Sequence, residues 1–240
     1  MLKARELTVF DKAIPVLTNI NLEIKRGEVA AFIGPNNAGK SALLRALAGG
    51  FEHYDGEIRV GSYSLKNSEK AKTQLGYLSS PVAFENYLTG LEWLEVVSAA
   101  YHLAPPKRIE AILNLADKLN CKDSLYTILD SADESTKQKV GLIASLLHQP
   151  SVVLWDEPIN SLDPTSQQEV SELARRVSSD GAAVLIATNN LPWAERVAER
   201  FFIMDQGEIL SDGTLSQLKS LSRAEDRDLL TIYNSVLHGQ

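Results

Sequence analysis

A glycine-rich octapeptide between an apolar run and a helix-like segment constrains the fold of this chain more than any other feature. Residues 34–41 read Gly-Pro-Asn-Asn-Ala-Gly-Lys-Ser and fit the phosphate-loop pattern G-x-x-x-x-G-K-[ST]. The apolar run 29–33 precedes the loop, and the helix-like segment 41–48 follows it. A strand, a loop and a helix in this order are what phosphate binding requires. The pattern therefore predicts an α/β fold that binds a nucleoside triphosphate.

The predicted nucleotide contacts come from the loop and from the first turn of the helix. Backbone N–H groups there converge on phosphate oxygens, and the positive end of the helix dipole adds to the attraction. Lys40 would supply a positive charge to the outer phosphates, and Ser41 a hydroxyl ligand to Mg²⁺. The candidate phosphate-binding residues are Gly34, Pro35, Asn36, Asn37, Ala38, Gly39, Lys40, Ser41 and Ala42. The alternative is a glycine-containing turn that fits the pattern by chance.

Two acidic residues at the end of a second apolar run complete the predicted site. Residues 152–155 are apolar and lead directly into Asp156, Glu157 and Pro158. Such a run is typical of a buried parallel strand that ends at the ligand-binding edge of an open α/β sheet. Asp156 is predicted to hold Mg²⁺ through water, and Glu157 to polarise the attacking water. Without the phosphate loop, the same residues could simply begin a loop.

Composition narrows the class of protein. A chain of 240 residues could form one domain or two, and 44% hydrophobic residues support a complete core. The net charge of −7 gives no basic surface, so nucleic acid is not an expected partner. The one cysteine, Cys121, excludes an internal disulfide and is expected in the core. No apolar run approaches the roughly 20 residues of a membrane helix and no signal peptide opens the chain, so a membrane role needs a separate partner.

Hydrophobic periodicity places further elements around the two motifs. Residues 3–9 and 16–24 follow strand patterns and predict an antiparallel edge ahead of the phosphate loop. Between about 80 and 149 the pattern is helical, with one apolar face made of Ile109, Ile112, Leu113, Ala116 and Leu119. The pattern then predicts a helix at 166–177, a strand at 183–187, a hairpin at 206–207 and a tail helix at 224–237.

Taken together, these motifs resemble those of an ATP-binding-cassette (ABC) nucleotide-binding domain, from about residue 3 to about residue 221. Other matching segments are 146–150, 160–164, which is similar to the D-loop of the family, and 204–209. Residues 85–92 resemble the subgroup that pairs with ABC-2-type membrane subunits.

The resemblance implies an α/β P-loop NTPase fold of the ABC type, with a mostly parallel sheet, an antiparallel β edge and an inserted helical subdomain. It implies a single ATP-binding domain over 1–240, in which 1–79 and 150–221 form the RecA-like core and antiparallel β subdomain. Residues 80–149 would be the helical subdomain and 222–240 a helical tail. The implied cofactors are ATP and Mg²⁺, and the implied partners are a second cassette and a transmembrane permease subunit. The protein would then be cytoplasmic and peripheral on the membrane.

Two further residues are assigned through the resemblance. Phe10 lies where the family has an aromatic residue that stacks on adenine, although a phenylalanine that ends a strand could equally belong to the core. Asn37 replaces a glycine of the phosphate loop. Because asparagine enters positive-φ conformations more readily than most residues, binding is expected to survive this change.

Two further loops, which contain Ser80 and Asn189, also depart from the family pattern. Ser80 stands where the family has a glutamine, and its shorter side chain is not expected to contact Mg²⁺ directly. Asn189 stands where the family has a switch histidine. Asparagine can donate a hydrogen bond to a γ-phosphate but cannot hold a proton or a charge, which predicts slow hydrolysis. Alternatively, Asn189 caps the end of a strand.

The largest departure replaces the family signature Leu-Ser-Gly-Gly-Gln with residues 132–136, Ala-Asp-Glu-Ser-Thr. In the family these residues open a helix whose N–H groups bind the γ-phosphate held by the opposite subunit. Here Ser131 and Glu134 fit an S-x-x-E capping box, which would satisfy those N–H groups within the chain. The signature is therefore predicted not to bind phosphate.

Three functional classes fit these observations. The first is a degenerate ATP-binding subunit of a membrane transporter, which binds MgATP but hydrolyses it slowly or leaves turnover to a partner cassette. The second is a fully active ABC ATPase subunit, favoured by Glu157 and opposed by the departures. The third is a regulatory ABC protein without a transporter. The sequence specifies neither the transported substrate nor the choice between a homodimer and a heterodimer.

Overall fold

The computed structural model describes residues 1–12, 14–221 and 228–238. The strands are β1 (Leu2–Asp11), β2 (Ile14–Ile24), β3 (Val29–Ile33), β4 (Tyr54–Val60), β5 (Tyr63–Ser64), β6 (Leu75–Leu78), β7 (Val152–Asp156), β8 (Ala183–Ala187), β9 (Arg200–Asp205) and β10 (Glu208–Gly213). The helices are α1 (Lys40–Leu47), α2 (Glu69–Lys72), α3 (Gly90–Ala100), α4 (Pro105–Lys118), α5 (Glu134–Leu146), α6 (Pro164–Ser179), α7 (Leu191–Val197), α8 (Leu215–Leu221) and α9 (Leu229–His238), with a 3₁₀ turn at Asp123–Tyr126.

A six-stranded, mostly parallel sheet forms the centre of the molecule, as the sequence predicted. Its strand order is β10-β9-β3-β8-β7-β6, and β10 alone runs antiparallel to its neighbour. Strands β3, β7 and β8 are buried along their whole length, which explains their uninterrupted apolar sequences. Ala187 lies opposite both Phe32 and Asp156, so these three strands end at one edge of the sheet.

A second sheet, with the order β2-β1-β4-β5, is antiparallel and confirms the predicted antiparallel edge. Bulges interrupt its pairing near Glu6 and Asn19, both of which have a φ of 49°. Their backbone N–H groups donate to the side chains of Asn21 and Thr8, at 3.0 and 3.1 Å. A hydrophobic cluster that includes residues of both sheets and of α1 joins this sheet to the central one.

Helices α3, α4 and α5 lie between β6 and β7 in the chain, where the helical pattern was predicted. On the predicted apolar face, Ile112, Ala116 and Leu119 are fully buried, whereas Ile109 and Leu113 are only half-buried. Cys121 is buried beside this face, as predicted, and burial raises the pKa of its thiol to about 11. Within the described ranges, no helix is both long and apolar enough to cross a bilayer.

The remaining predicted elements are present with shifted boundaries. Helix α6 extends beyond the predicted 166–177, and β8 has the predicted bounds. Gln206 and Gly207 form the predicted hairpin turn with φ angles of 46° and 80°, the positive values that a two-residue turn favours. Of the predicted tail helix, 224–227 lie outside the described residues and α9 begins at Leu229. Leu229 and Ile232 are fully buried in a third cluster with residues of α7, β3 and β9.

Candidate nucleotide-binding site

The phosphate loop leaves β3 and enters α1 through two residues in left-handed conformations. Asn37 has a φ of 67°, a conformation that asparagine adopts more readily than most residues. Gly39, the N-cap of α1, has a φ of 100°. A Cβ on Gly34 would lie 2.3 Å from the carbonyl oxygen of Met204, so this position also excludes a side chain. The loop is therefore closely packed against β9 and leaves its backbone N–H groups at the start of α1.

Lys40 is almost fully buried under this loop, with 7% of its surface exposed. Its Nζ donates hydrogen bonds to the carbonyl oxygens of Gly34 and Pro35, at 2.7 and 2.9 Å. Burial lowers the pKa of Lys40, and the nearby carboxylates of Glu157 and Asp156 oppose that effect. The structure thus brings the predicted cation to the predicted acidic pair.

Asp156 ends β7 with 1% of its surface exposed. Burial raises the pKa of its carboxyl group, while a hydrogen bond with Ser41 and the charge of Lys40 oppose the rise. Its Oδ1 is buried and has no hydrogen-bond partner within the described part of the chain. A buried, unpartnered carboxylate oxygen beside a hydroxyl is a suitable oxygen ligand set for Mg²⁺. The predicted metal residues, Ser41 and Asp156, therefore fit that ion.

Glu157 has a left-handed φ of 46° and makes five hydrogen bonds with other described residues. Its backbone N–H donates to the carbonyl of Ala187 at 2.8 Å. Its backbone carbonyl accepts from Gln138 Nε2 at 3.0 Å and from the backbone N–H of Asn160 at 3.2 Å. Its carboxylate accepts from Thr188 Oγ1 and from the backbone N–H of Asn189, each at 3.0 Å. Burial raises the pKa of Glu157, and these hydrogen bonds to the carboxylate act in the opposite direction.

Sequence reasoning missed two of these partners of Glu157. Thr188 directly precedes Asn189, so its position beside that candidate residue was the available signal. Gln138 had no comparable signal, because its contact with Glu157 joins α5 to β7.

Asn189 also contacts the phosphate loop directly. Its Nδ2 donates to Asn36 Oδ1 at 2.7 Å, and both residues are exposed. The neighbouring Asn190, by contrast, is the N-cap of α7 and accepts from the backbone N–H of Trp193 at 3.0 Å. The side chain of Asn189 therefore bridges two loops of the site, whereas Asn190 caps the helix that follows.

Phe10 and Ser80 are both exposed. Phe10 pairs with Pro15 in the β1–β2 hairpin and is 41% exposed, which excludes the core position that was its alternative. The same hairpin reaches the phosphate loop, because a Cβ on Gly39 would lie 3.1 Å from Leu17 Cδ2. Ser80 follows β6 and is exposed. Ala42 is half-buried in the first turn of α1.

The predicted capping box in the signature region is wrong. Helix α5 begins at Glu134 with Asp133 as its N-cap, and Asp133 Oδ1 accepts from the backbone N–H of Thr136 at 2.6 Å. The hydroxyl of Ser131 instead donates to the carbonyl of Ile128 at 3.0 Å, because residue 131 still belongs to the preceding turn. The hydrogen bond from Thr136 holds the pKa of Asp133 below its ordinary value. The N-terminus of α5 is satisfied within the chain, but by a carboxylate.

Comparison with known proteins identifies this arrangement. The family model described as "ABC transporter" matches residues 17–160. The chain is 29% identical over 235 residues to the ABC-type transporter ATP-binding protein EcsA of Bacillus subtilis (strain 168), covering 97% of this chain and 95% of that protein. A solved ATP-binding subunit of an ABC transporter superposes with a TM-score of 0.92 at 26% identity, covering 99% of each chain.

A second solved structure, a dimeric ATP-binding cassette in a post-hydrolysis state bound to ADP and Pi, has a TM-score of 0.81 at 21% identity. It covers 90% of this chain and 99% of that one, and at this identity it shows the fold alone. The ligands of such cassettes are ATP and Mg²⁺, in agreement with the buried Lys40 and with the Asp156–Ser41 pair. The chain belongs to the ABC transporter family as an ATP-binding cassette.

Proposed function

We propose that this protein is the ATP-binding subunit of an ABC transporter that binds MgATP in a head-to-tail cassette dimer and hydrolyses it slowly at its own site. It would drive or regulate a separate membrane subunit. The observation that carries the proposal is a contrast within one site. Lys40, Ser41, Asp156 and Glu157 are assembled at one sheet edge, whereas Asn189 and the start of α5 lack the groups that complete catalysis in the family.

The binding half of the proposal depends on charge and on backbone geometry. Lys40 would neutralise the outer phosphates, and Ser41 with Asp156 would hold Mg²⁺, which neutralises charge on the phosphates. The phosphate loop, residues 34–42, would supply backbone N–H groups. Phe10, exposed on the neighbouring hairpin, would stack on the base, an interaction worth about 1–3 kcal/mol.

Slow hydrolysis follows from the groups around Glu157. Both of its carboxylate oxygens already accept hydrogen bonds, from Thr188 and from Asn189. Asn189 supplies a neutral amide, which cannot hold a proton or a charge beside the developing phosphate charge. Glu157 is present to polarise water, but it lacks a charged or proton-holding neighbour at position 189.

The second proposed defect is in the signature region, at the start of α5. A carboxylate about 4 Å from a phosphate charge costs about 4 kcal/mol per charge pair at an effective dielectric constant near 20. The stabilisation of an acid at a helix N-terminus is only about 0.3–1 kcal/mol. Asp133 already accepts from the N–H of Thr136, and Glu134 lies next to it. We therefore infer that this helix does not bind the γ-phosphate held by an opposite cassette.

These defects favour a heterodimer with an intact cassette, although a homodimer is compatible with the same fold. The chain would form one ATP-binding domain on the cytoplasmic face of the membrane and attach through a permease subunit. Residues 85–92, which include the first turn of α3, resemble those of the subgroup that pairs with ABC-2-type membrane subunits. The net charge of −7 supports the absence of a nucleic-acid partner.

The alternative is a fully active ATPase subunit, and the position of Glu157 beside Lys40 favours it. Turnover of the isolated chain distinguishes the two, since a homodimer would pair two Asn189 sites with two altered signatures. The purified chain is expected to hydrolyse ATP at the rate of its Glu157→Gln variant. A Glu157-dependent turnover of several per second, within the ordinary range of about 1–10³ per second, would contradict the degenerate function.

The proposed heterodimer has a crossed geometry that can be tested in the assembled complex. The substitutions Asp133→Ser, Glu134→Gly and Ser135→Gly should raise hydrolysis only while the partner cassette keeps its own catalytic glutamate. Asn189→His should act only while Glu157 is present in this chain. If the signature repair depends on Glu157 instead, the crossed arrangement is wrong.

A further inference from the structure

The amide of Asn189 closes a bridge across the mouth of the site. Its Nδ2 lies 2.7 Å from Asn36 Oδ1, which leaves no room for another atom between them. Asn36 belongs to the phosphate loop, directly after the two carbonyl groups that accept from Lys40. The backbone N–H of Asn189 donates to Glu157. The bridge therefore joins the segment that carries the phosphate-binding lysine to the segment that holds the water-polarising glutamate.

The outermost phosphate of a bound triphosphate must lie between these same two segments. It has to reach the charge of Lys40 on one side and to face the carboxylate of Glu157, across the attacking water, on the other. A diphosphate ends one phosphate earlier and does not need that position. The closed bridge is thus compatible with a bound diphosphate, and it competes with a triphosphate for the amide N–H of Asn189.

We propose that the Asn36–Asn189 bridge sets the preference of this site between nucleoside triphosphate and diphosphate. The diphosphate binds with the bridge closed. The triphosphate binds only after the Asn189 amide leaves Asn36 and donates to the terminal phosphate. This inference rests on the proposed nucleotide contacts of Lys40 and Asn189 and adds a residue, Asn36, that weakens triphosphate binding through its side chain.

Asn36→Ala tests the bridge without removing the donor on Asn189. The dissociation constants of ADP and of a non-hydrolysable ATP analogue, both with Mg²⁺, are measured by calorimetry on the full chain. Because one hydrogen bond between neutral groups is lost, the ratio of the affinity for the triphosphate analogue to that for ADP should rise by about twofold to tenfold. An unchanged ratio of the two affinities, or a selective loss of triphosphate binding, overturns the proposal.

Asn37→Gly is the matched control in the same loop. The side chain of Asn37 makes no hydrogen bond with any described residue, and its φ of 67° is open to glycine. This variant should change the affinities for the analogue and for ADP by the same factor. If Asn37→Gly shifts the ratio of the two affinities as much as Asn36→Ala does, the effect comes from general loosening of the loop. That result would overturn the proposal.

A double-mutant cycle gives a second readout that local loosening does not produce. In the parent, Asn189→Ala removes a donor to the terminal phosphate but also opens the bridge, so the two effects partly cancel. In the Asn36→Ala background, only the loss of the donor remains. The loss of triphosphate affinity caused by Asn189→Ala should therefore be larger in that background, and the ADP affinities should show no such coupling. Additive effects on the triphosphate overturn the proposal.

Failure of the bridge and failure of the proposed function give different results. If the parent chain binds neither nucleotide, the nucleotide-binding function itself is wrong. If it binds both nucleotides but the ratio and the cycle show no effect of Asn36, only the bridge is wrong.

Discussion

Gln138 donates a hydrogen bond from its side-chain amide to the backbone carbonyl of Glu157, across 3.0 Å. The two residues belong to different layers, since Gln138 lies on α5 and Glu157 follows β7 of the six-stranded sheet. A second bond of this kind joins Trp155 Nε1 to Ser145 Oγ, at 2.9 Å. Helix α5 is thus bonded to β7 at two points. A rotation of the helical layer would act directly on the backbone of Glu157.

The first prediction concerns this contact. Gln138→Leu keeps the size of the side chain but removes one of the two hydrogen bonds that the carbonyl of Glu157 accepts, while the backbone N–H of Asn160 keeps the other. The free energy of unfolding should therefore fall by about 1 kcal/mol, the net value of one hydrogen bond. Lys137→Ala is the control on the same helix, because it breaks only an exposed ion pair with Glu134 and should cost less than about 1 kcal/mol. Urea denaturation measures both. Equal losses would mean that the Gln138 bond does not contribute.

A second prediction concerns the cap of α5 and its pH dependence. Asp133→Ala should lower the free energy of unfolding by about 1 kcal/mol, whereas Asp133→Asn retains a capping oxygen and should cost less. The N–H of Thr136 holds the pKa of Asp133 below its ordinary value. A carboxyl group with a depressed folded pKa contributes stability that is fully present above its unfolded pKa, about 3.9, and is lost as the pH falls through the folded value.

The advantage of the parent over Asp133→Asn should therefore be constant from pH 7 to 5 and decline only below about pH 4. Urea denaturation at pH 7, 5 and 3 checks this, with Asp55→Asn on the exposed part of β4 as the control. A decline that begins near neutral pH would contradict the assignment.

The third prediction is that Lys40→Ala removes most MgATP affinity. Its buried ammonium group is the positive charge expected at the outer phosphates, and a charged hydrogen bond of this kind is worth about 1.5–3 kcal/mol. The dissociation constant should rise by at least about tenfold in calorimetry. Lys72→Ala, which changes an exposed ion pair with Glu69, should bind as the parent does. If Lys40→Ala also binds as the parent does, the phosphate-loop assignment is wrong.

The fourth prediction distinguishes a loss of Mg²⁺ binding from a loss of nucleotide binding. Asp156→Asn removes the buried carboxylate beside Ser41, so the increase in ATP affinity that Mg²⁺ gives should shrink by about 10- to 100-fold. In the presence of EDTA the variant should bind ATP at least as tightly as the parent, because a negative charge near the phosphates has been removed. A fluorescent ATP analogue measures both conditions. A variant with the full Mg²⁺ dependence of the parent would exclude Asp156 from the metal site.

The sequence alone was sufficient to predict those parts of the site that lie within one continuous segment of the chain. The strand, loop and helix at residues 29–48 are determined by consecutive residues, and so is the strand that ends at Asp156. The sheet then brings the two segments together, because parallel strands end at the same edge. The contacts of Gln138 with Glu157 and of Asn36 with Asn189 join residues 19 and 153 positions apart. No periodicity or spacing encodes such pairs, which depend on how the layers pack.

The wrong cap of α5 has a different cause. Ser131 and Asp133 are both good N-cap residues, and each is followed by residues that can form a helix. The choice between them depends on where the preceding turn ends. Ser131 donates both its backbone N–H and its hydroxyl to the carbonyl of Ile128, so the helix begins only after Asp133.

Helix α9 packs against α7, the helix that follows Asn189. Leu229 and Ile232 pack in the same cluster as Leu191 and Ala194 of α7, which begins two residues after Asn189. Proteolytic removal of α9 would therefore uncover one side of α7 and leave apolar side chains in water. We expect such a clipped protein to aggregate, and the segment of Asn189 and α7 to lose packing that holds it in place. Intact mass is accordingly the first property to verify in any preparation whose nucleotide binding is weak.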